Sequence, residues 1–207
     1  MIPETSESQP NKEKILQAAI RLFAEKGYAN VSMREIAAQV NIKAASIYNH
    51  YSGKEALLDA IIGRFREGLH SRVYPRIKDV GSLEIQNFLN ILIEANGIFF
   101  SDPMFARISQ IILREQFTNA SIRRTLLEEL IVGPRNMIAA YFIRLMEAGK
   151  MVRVDPRLAA KEFHAFFIYR FYEISLSLDG PPPELDPNEE AEHIRLFLKN
   201  YIVEHNI

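Results

Sequence analysis

VNIKAASIYNHYSGKEALL, from Val40 to Leu58, puts two tyrosines, a histidine and two lysines between two apolar-periodic segments. Asn41 reads as a turn residue, because after glycine it best tolerates the left-handed backbone region. A short helix over roughly 43–50 follows it. Upstream, Ser32 with Glu35 three residues later is an S-x-x-E capping box, opening a helix whose apolar face is Ile36, Ala37 and Val40. Two short helices joined by such a turn make a helix-turn-helix. Ile47 is then the buried position, pairing with Ile36 and Ile42. Lys43, Ala44, Ala45, Ser46, Tyr48 and Asn49 are left on the outward face, with His50 and Lys54 at its C-terminal end. In this motif the second helix offers its N-terminal residues to a DNA major groove while its flanks hold phosphates.

Working outward, almost every segment carries helical periodicity. Asn11 is placed to cap a first helix with Ile15, Leu16, Ala19, Leu22 and Phe23 on one face, ended by Gly27. A longer helix starts near Lys54 and runs toward Tyr74, where Pro75 discourages continuation. Further helical patterns occupy about 82–100, 103–118, 121–148, 156–178 and 187–205, and Gly133-Pro134 should kink or interrupt the third of these. No stretch alternates like a strand, so the expected fold is all-α, with a three-helix N-terminal domain and a larger C-terminal helical one. The expected divisions are a disordered tail at 1–10, a DNA-binding domain at 11–56 and an effector and dimerisation domain at 57–207.

Composition narrows the function classes. The chain has 207 residues, 48% hydrophobic and 25% charged, as expected of a sizeable core. It has no cysteine, which excludes disulfides and thiolate metal sites. The first ten residues are polar and acidic, unlike a signal peptide, and no uncharged apolar run approaches a membrane span, so a cytoplasmic, membrane-free protein is expected. The net charge of −1 hides an asymmetry: residues 12–54 carry seven Lys/Arg against three Glu, and residues 55–207 carry 18 Lys/Arg against 21 Asp/Glu. A basic head on an acidic body suits an anion-binding module joined to a different task.

The order Gly27-Tyr28, Ser32-Met33-Arg34-Glu35-Ile36-Ala37, Val40-Asn41-Ile42, Ser46-Ile47-Tyr48-Asn49-His50-Tyr51 and Lys54-Glu55-Ala56-Leu57-Leu58 resembles the DNA-binding domain of TetR-family transcriptional regulators. The resemblance covers about residues 11–58. It implies that Ser32 meets a phosphate through its hydroxyl and the helix N-terminus, that Tyr48 and His50 are phosphate contacts, that Lys54 neutralises a flanking phosphate, and that Tyr51 takes a core position. Base reading would fall to Lys43, Ala44, Ala45 and Asn49. Three positions depart from the family pattern: Asn41 stands for a common Gly, Lys43 for Ser or Thr, and Ala45 for Gly.

Past residue 58 the resemblance weakens, but a connecting helix, middle helices and two terminal helices fit the same family. Residues 156–178 are apolar over more than one face, and Ile194, Phe197, Leu198, Tyr201 and Ile202 form a packing stripe. A helix with two apolar faces needs two partners, so a homodimer interface is expected through Phe163, Phe167, Phe171, Ile194, Phe197, Leu198 and Tyr201. The middle helices should surround an effector cavity. Candidates there are Asn96, Gln110, Arg114 and Tyr141 as polar lining, with Phe100, Met104 and Met137 as walls, favouring an apolar or aromatic effector. The five histidines are scattered without metal or protease spacing, and no Gly-rich phosphate loop or G-x-S-x-G motif occurs. An enzyme is not expected, nor a cofactor, nor a metal. The functional expectation is a homodimeric repressor that binds double-stranded DNA at a palindrome and is released by a small molecule. An activator of the same family and a helical adaptor that binds no DNA are the alternatives.

Overall fold

The computed structural model describes residues 8–73, 84–100, 102–176 and 187–203. These residues are helical almost throughout. The helices are α1 (Ser8–Lys26), α2 (Met33–Gln39), α3 (Ala44–Ile47), α4 (Lys54–Gly68), α5 (Ile85–Phe100), α6 (Pro103–Glu115), α7 (Ala120–Thr125), α8 (Gly133–Glu147), α9 (Pro156–Leu176) and α10 (Pro187–Tyr201). Extended pairing among the described residues is limited to an isolated bridge between Met151 and Ile202. No helix among them is long and apolar enough to cross a membrane.

Local chemistry sets the boundaries. Helix α1 begins at Ser8, upstream of Asn11, so Asn11 is an interior helical residue and not the cap; residues 1–7 of the expected tail lie outside the described set. Gly27 ends α1 at φ 82, a conformation that costs glycine nothing sterically. Ser32 caps α2, its Oγ accepting the Glu35 N–H at 3.2 Å. Asp102 and Asn119 cap α6 and α7 in the same way.

Asn41 has φ 55, alone among described non-glycine residues in the left-handed region. It forces the tight α2–α3 connection, closed by the Ile42 N–H on the Ala37 carbonyl at 3.1 Å. Alanine at position 41 should lower the urea-derived stability by about 1 kcal/mol, whereas glycine should leave it unchanged or raise it slightly. Equal midpoints for the two variants would show that the turn tolerates another geometry.

The Gly133-Pro134 pair does interrupt a helix. Residues Leu126–Val132 form a π-helical stretch between α7 and α8. Pro134 has no N–H to give, and the Gly133 N–H reaches back five residues to the Glu128 carbonyl. A Cβ on Gly133 would stand 2.8 Å from that carbonyl oxygen, so the widened turn and the glycine require one another.

Among the described residues one hydrophobic cluster runs from Ile15 and Phe23 in α1 through Ile61 and Phe65 in α4 to Phe142, Phe163 and Phe197. Helix α4 continues unbroken across positions 56 and 57, where the division between head and body was expected. The two parts therefore join through a rigid helix and a shared core. The Arg64 guanidinium also binds Glu13 at 2.6 Å, and Arg114 Nη1 donates to the Ala24 carbonyl near the end of α1. That carbonyl belongs to a helix C-terminus, where acceptors lack intrahelical donors.

Candidate nucleic-acid interface

The helix-turn-helix is held from below by Ile36 and Ile47, each with 0% exposure, and by partly buried Ile42. Burying Ile47 fixes the rotation of α3. Lys43, Ala45, Tyr48 and Asn49 then face solvent, with Tyr48 54% exposed, while Ala44, Ser46 and His50 are half-buried. An exposed tyrosine at the C-terminal cap of a four-residue helix contributes little to the core. It is available to an outside partner.

Around α3 the chemistry is cationic and donor-rich. Ser32 is exposed, and while its oxygen caps α2 its hydroxyl proton is still free to be donated. Lys26 pairs with Glu35, whose carboxyl is held below its usual range first by that ammonium and further by the Ser32 backbone N–H. Lys43 and Arg34 are exposed, and neither forms an ion pair among the described residues. Arg34, which the sequence pattern did not single out, follows the α2 cap by two residues and adds a cation to this rim.

Lys54 departs from the simplest expectation. Its Nζ donates to the Ala29 carbonyl at 3.2 Å and lies 4.5 Å from the centre of the Tyr28 ring. The ammonium thus ties the start of α4 to the turn after α1, and two of its three donors remain for another acceptor. Tyr51 occupies the core, 6% exposed, with its hydroxyl donating to the Lys12 carbonyl at 3.4 Å and its phenol pKa pushed up by burial.

Two family models match this chain: "Bacterial regulatory proteins, tetR family" over residues 15–61, and "AefR-like transcriptional repressor, C-terminal domain" over residues 89–203. The second alone covers more than half of the sequence. The chain belongs to the TetR family of transcriptional regulators. Among its relatives, the HTH-type transcriptional regulator UidR of Escherichia coli is 31% identical over 94 residues, 44% of this chain and 48% of UidR. The biofilm operon negative regulator IcaR of Staphylococcus epidermidis is 50% identical over 46 residues, 22% of this chain and 25% of IcaR. The matched stretches thus span less than half the length of either relative. In three dimensions the chain superposes on the Stenotrophomonas maltophilia repressor SmeT, in its complex with triclosan, with a TM-score of 0.70 at 18% identity, covering 95% of this chain and 94% of SmeT. This family of regulators typically represses transcription.

Within this TetR-family body, the expected effector residues differ in burial and partners. Arg114 is exposed and its Nη1 donates to the Ala24 carbonyl, so it links body to head. Tyr141 is 2% exposed with its ring centre 4.0 Å from that of Phe88, an interior aromatic pair. Met104, Gln110 and Met137 are half-buried. The side chains of Asn96 and Phe100 lie outside the described set. A cleft of about 210 Å³ opens elsewhere, between the end of α6, the α7–π stretch and α9.

Most of the expected dimer residues are buried within the single chain. Phe163, Phe167, Phe171, Ile194 and Phe197 are each 7% exposed or less, packed into the chain's own core, with Phe142 stacked on Phe197 at 5.1 Å. A second chain has almost none of their surface to cover. Leu198 and Tyr201 are partly buried against the same core. The outward face of α9 instead carries Leu158, Ala165, Tyr169, Tyr172 and Leu176, and α10 adds Leu196.

Proposed function

We propose that this chain is a ligand-responsive repressor that binds a palindromic operator as a homodimer and lets go when a small molecule occupies its body. The carrying observation is the solvent-facing set Lys43, Ala45, Tyr48 and Asn49 on a helix locked by Asn41 and Ile47. In this reading Asn49 and Lys43 meet base edges, the alanines offer methyl contact, and Tyr48, His50, Ser32 and Lys54 hold phosphates. Two such helices, one per protomer, would stand about one DNA turn apart, roughly 34–36 Å. The dimer forms through the outward stripes of α9 and α10, whose apolar side chains at 158, 165, 169, 172 and 176 recur on one helix face.

Polar contacts tie the body to the head and to the end of the connecting helix. Arg114 holds the end of α1, and Glu129 of the π stretch reaches His70 at 3.1 Å and Arg66 at 3.7 Å beside the end of α4. An effector that shifts the π stretch or the end of α6 pulls on both. Release from 99:1 bound to 1:99 requires about 5.5 kcal/mol of preference for the released conformer. Purified protein should shift a fragment carrying the region upstream of its own gene, and Tyr48→Ala should weaken that binding about five- to tenfold at unchanged helical content. Wild-type protein with no preference for any promoter fragment over random DNA would sink the proposal.

A further inference from the structure

We propose that the effector site is the cleft between α6, the α7–π stretch and α9, and that it accepts a small apolar acid, a monocyclic aryl or short alkyl carboxylate. This inference rests on the reading of the chain as a ligand-responsive regulator. The cleft's roughly 210 Å³ would hold about seven waters at about 30 Å³ each, which suits a single ring with a short substituent. Its walls are apolar: Leu126, Leu130 and Ile131 from the α7–π stretch, Ile168 and Phe171 from α9. Polar groups gather at one end. The Tyr172 hydroxyl donates to Gln116 Oε1 at 3.1 Å, and Arg123 Nη1 donates to the Phe117 carbonyl at 2.9 Å. The remaining guanidinium donors of exposed Arg123 are available to a ligand.

Charge decides between acid and base. Arg123 lines the cleft, and none of the residues lining it is a carboxylate. An acid gains opposite charge there, while an amine meets only the Arg123 guanidinium. A carboxylate that captures the Tyr172 hydroxyl or the Gln116 amide competes with the bond between them, two residues beyond Arg114 and its hold on Ala24.

Calorimetric titration of the full chain with benzoate, phenylacetate and octanoate, each against the matching amine, tests this. At least one acid should bind once per chain, with its amine roughly tenfold weaker or worse. Arg123→Gln should weaken the acid about tenfold with helical content unchanged, and Leu130→Trp should fill the cleft and abolish binding. No binding by any acid, equal binding of acid and amine, or an indifferent Arg123→Gln variant overturns the assignment. So does a Leu130→Trp variant that weakens self-association instead, since the cleft would then belong to the second copy. A gel shift on the unliganded chain keeps the two readings apart: acid binding without DNA binding sinks the regulator, and DNA binding without acid binding sinks the site.

Discussion

With Tyr169 and Leu176 both replaced by glutamine, the chain should sediment as a monomer and lose about a hundredfold or more of its operator affinity. Both side chains are more than 60% exposed in the isolated chain, so the substitutions leave the core untouched. In a two-fold interface each appears twice, and burying an aliphatic or aromatic side chain contributes about 1.5–3 kcal/mol. Four such losses outweigh any modest dimerisation energy. Glutamine keeps helix propensity and adds no charge that could repel DNA by itself. Operator binding falls with the dimer because one short recognition helix touches too few bases for tight binding alone. A variant that still sediments as a dimer, or a wild-type chain that is already monomeric, would show that α9 packs against something else.

The same helix marks where sequence reasoning succeeds and fails. That α9 has two apolar faces was legible from composition along its length. Which face turns inward was not, because periodicity fixes the angle between stripes and says nothing about their neighbours. The expectation gave the phenylalanines to the partner; the structure gives them to the chain's own core and leaves Leu158, Tyr169 and Leu176 outside. Features that depend on a few adjacent residues came through well. Asn41 takes the left-handed turn, Ser32 caps α2, and Gly133-Pro134 breaks its helix. Each follows from backbone sterics or one nearby hydrogen bond.

Contacts between distant parts of the chain left no such mark. Arg114 reads in sequence as a polar residue on an apolar helix, the usual sign of a ligand contact, yet its acceptor is 90 residues away on α1. Gln116 and Tyr172 are 56 residues apart, and nothing local to either announces the other. Lys54 illustrates a middle case. Its position at the start of α4 was legible, but its engagement with Tyr28 and Ala29 depends on how α1 and α4 cross.

Acidification should destabilise this fold through His164, and the sign follows from its surroundings. Burial first, and the Arg135 charge second, lower the imidazole pKa to about 4, against an ordinary value of 6.5. The unfolded chain therefore takes up the proton at higher pH than the folded one. Stability from a neutral His164 is complete above about pH 6.5 and drains away as the pH falls toward 4, by about 3 kcal/mol over the whole interval. His193 shifts in the same direction by burial, stacked on Phe166 and bonded through Nε2 to the Phe163 carbonyl at 3.0 Å, so it steepens the loss. Urea midpoints for wild type and His164→Leu between pH 7 and 4.5 separate the two contributions. The leucine variant should retain only the shallower slope of His193; identical slopes would remove His164 from the account.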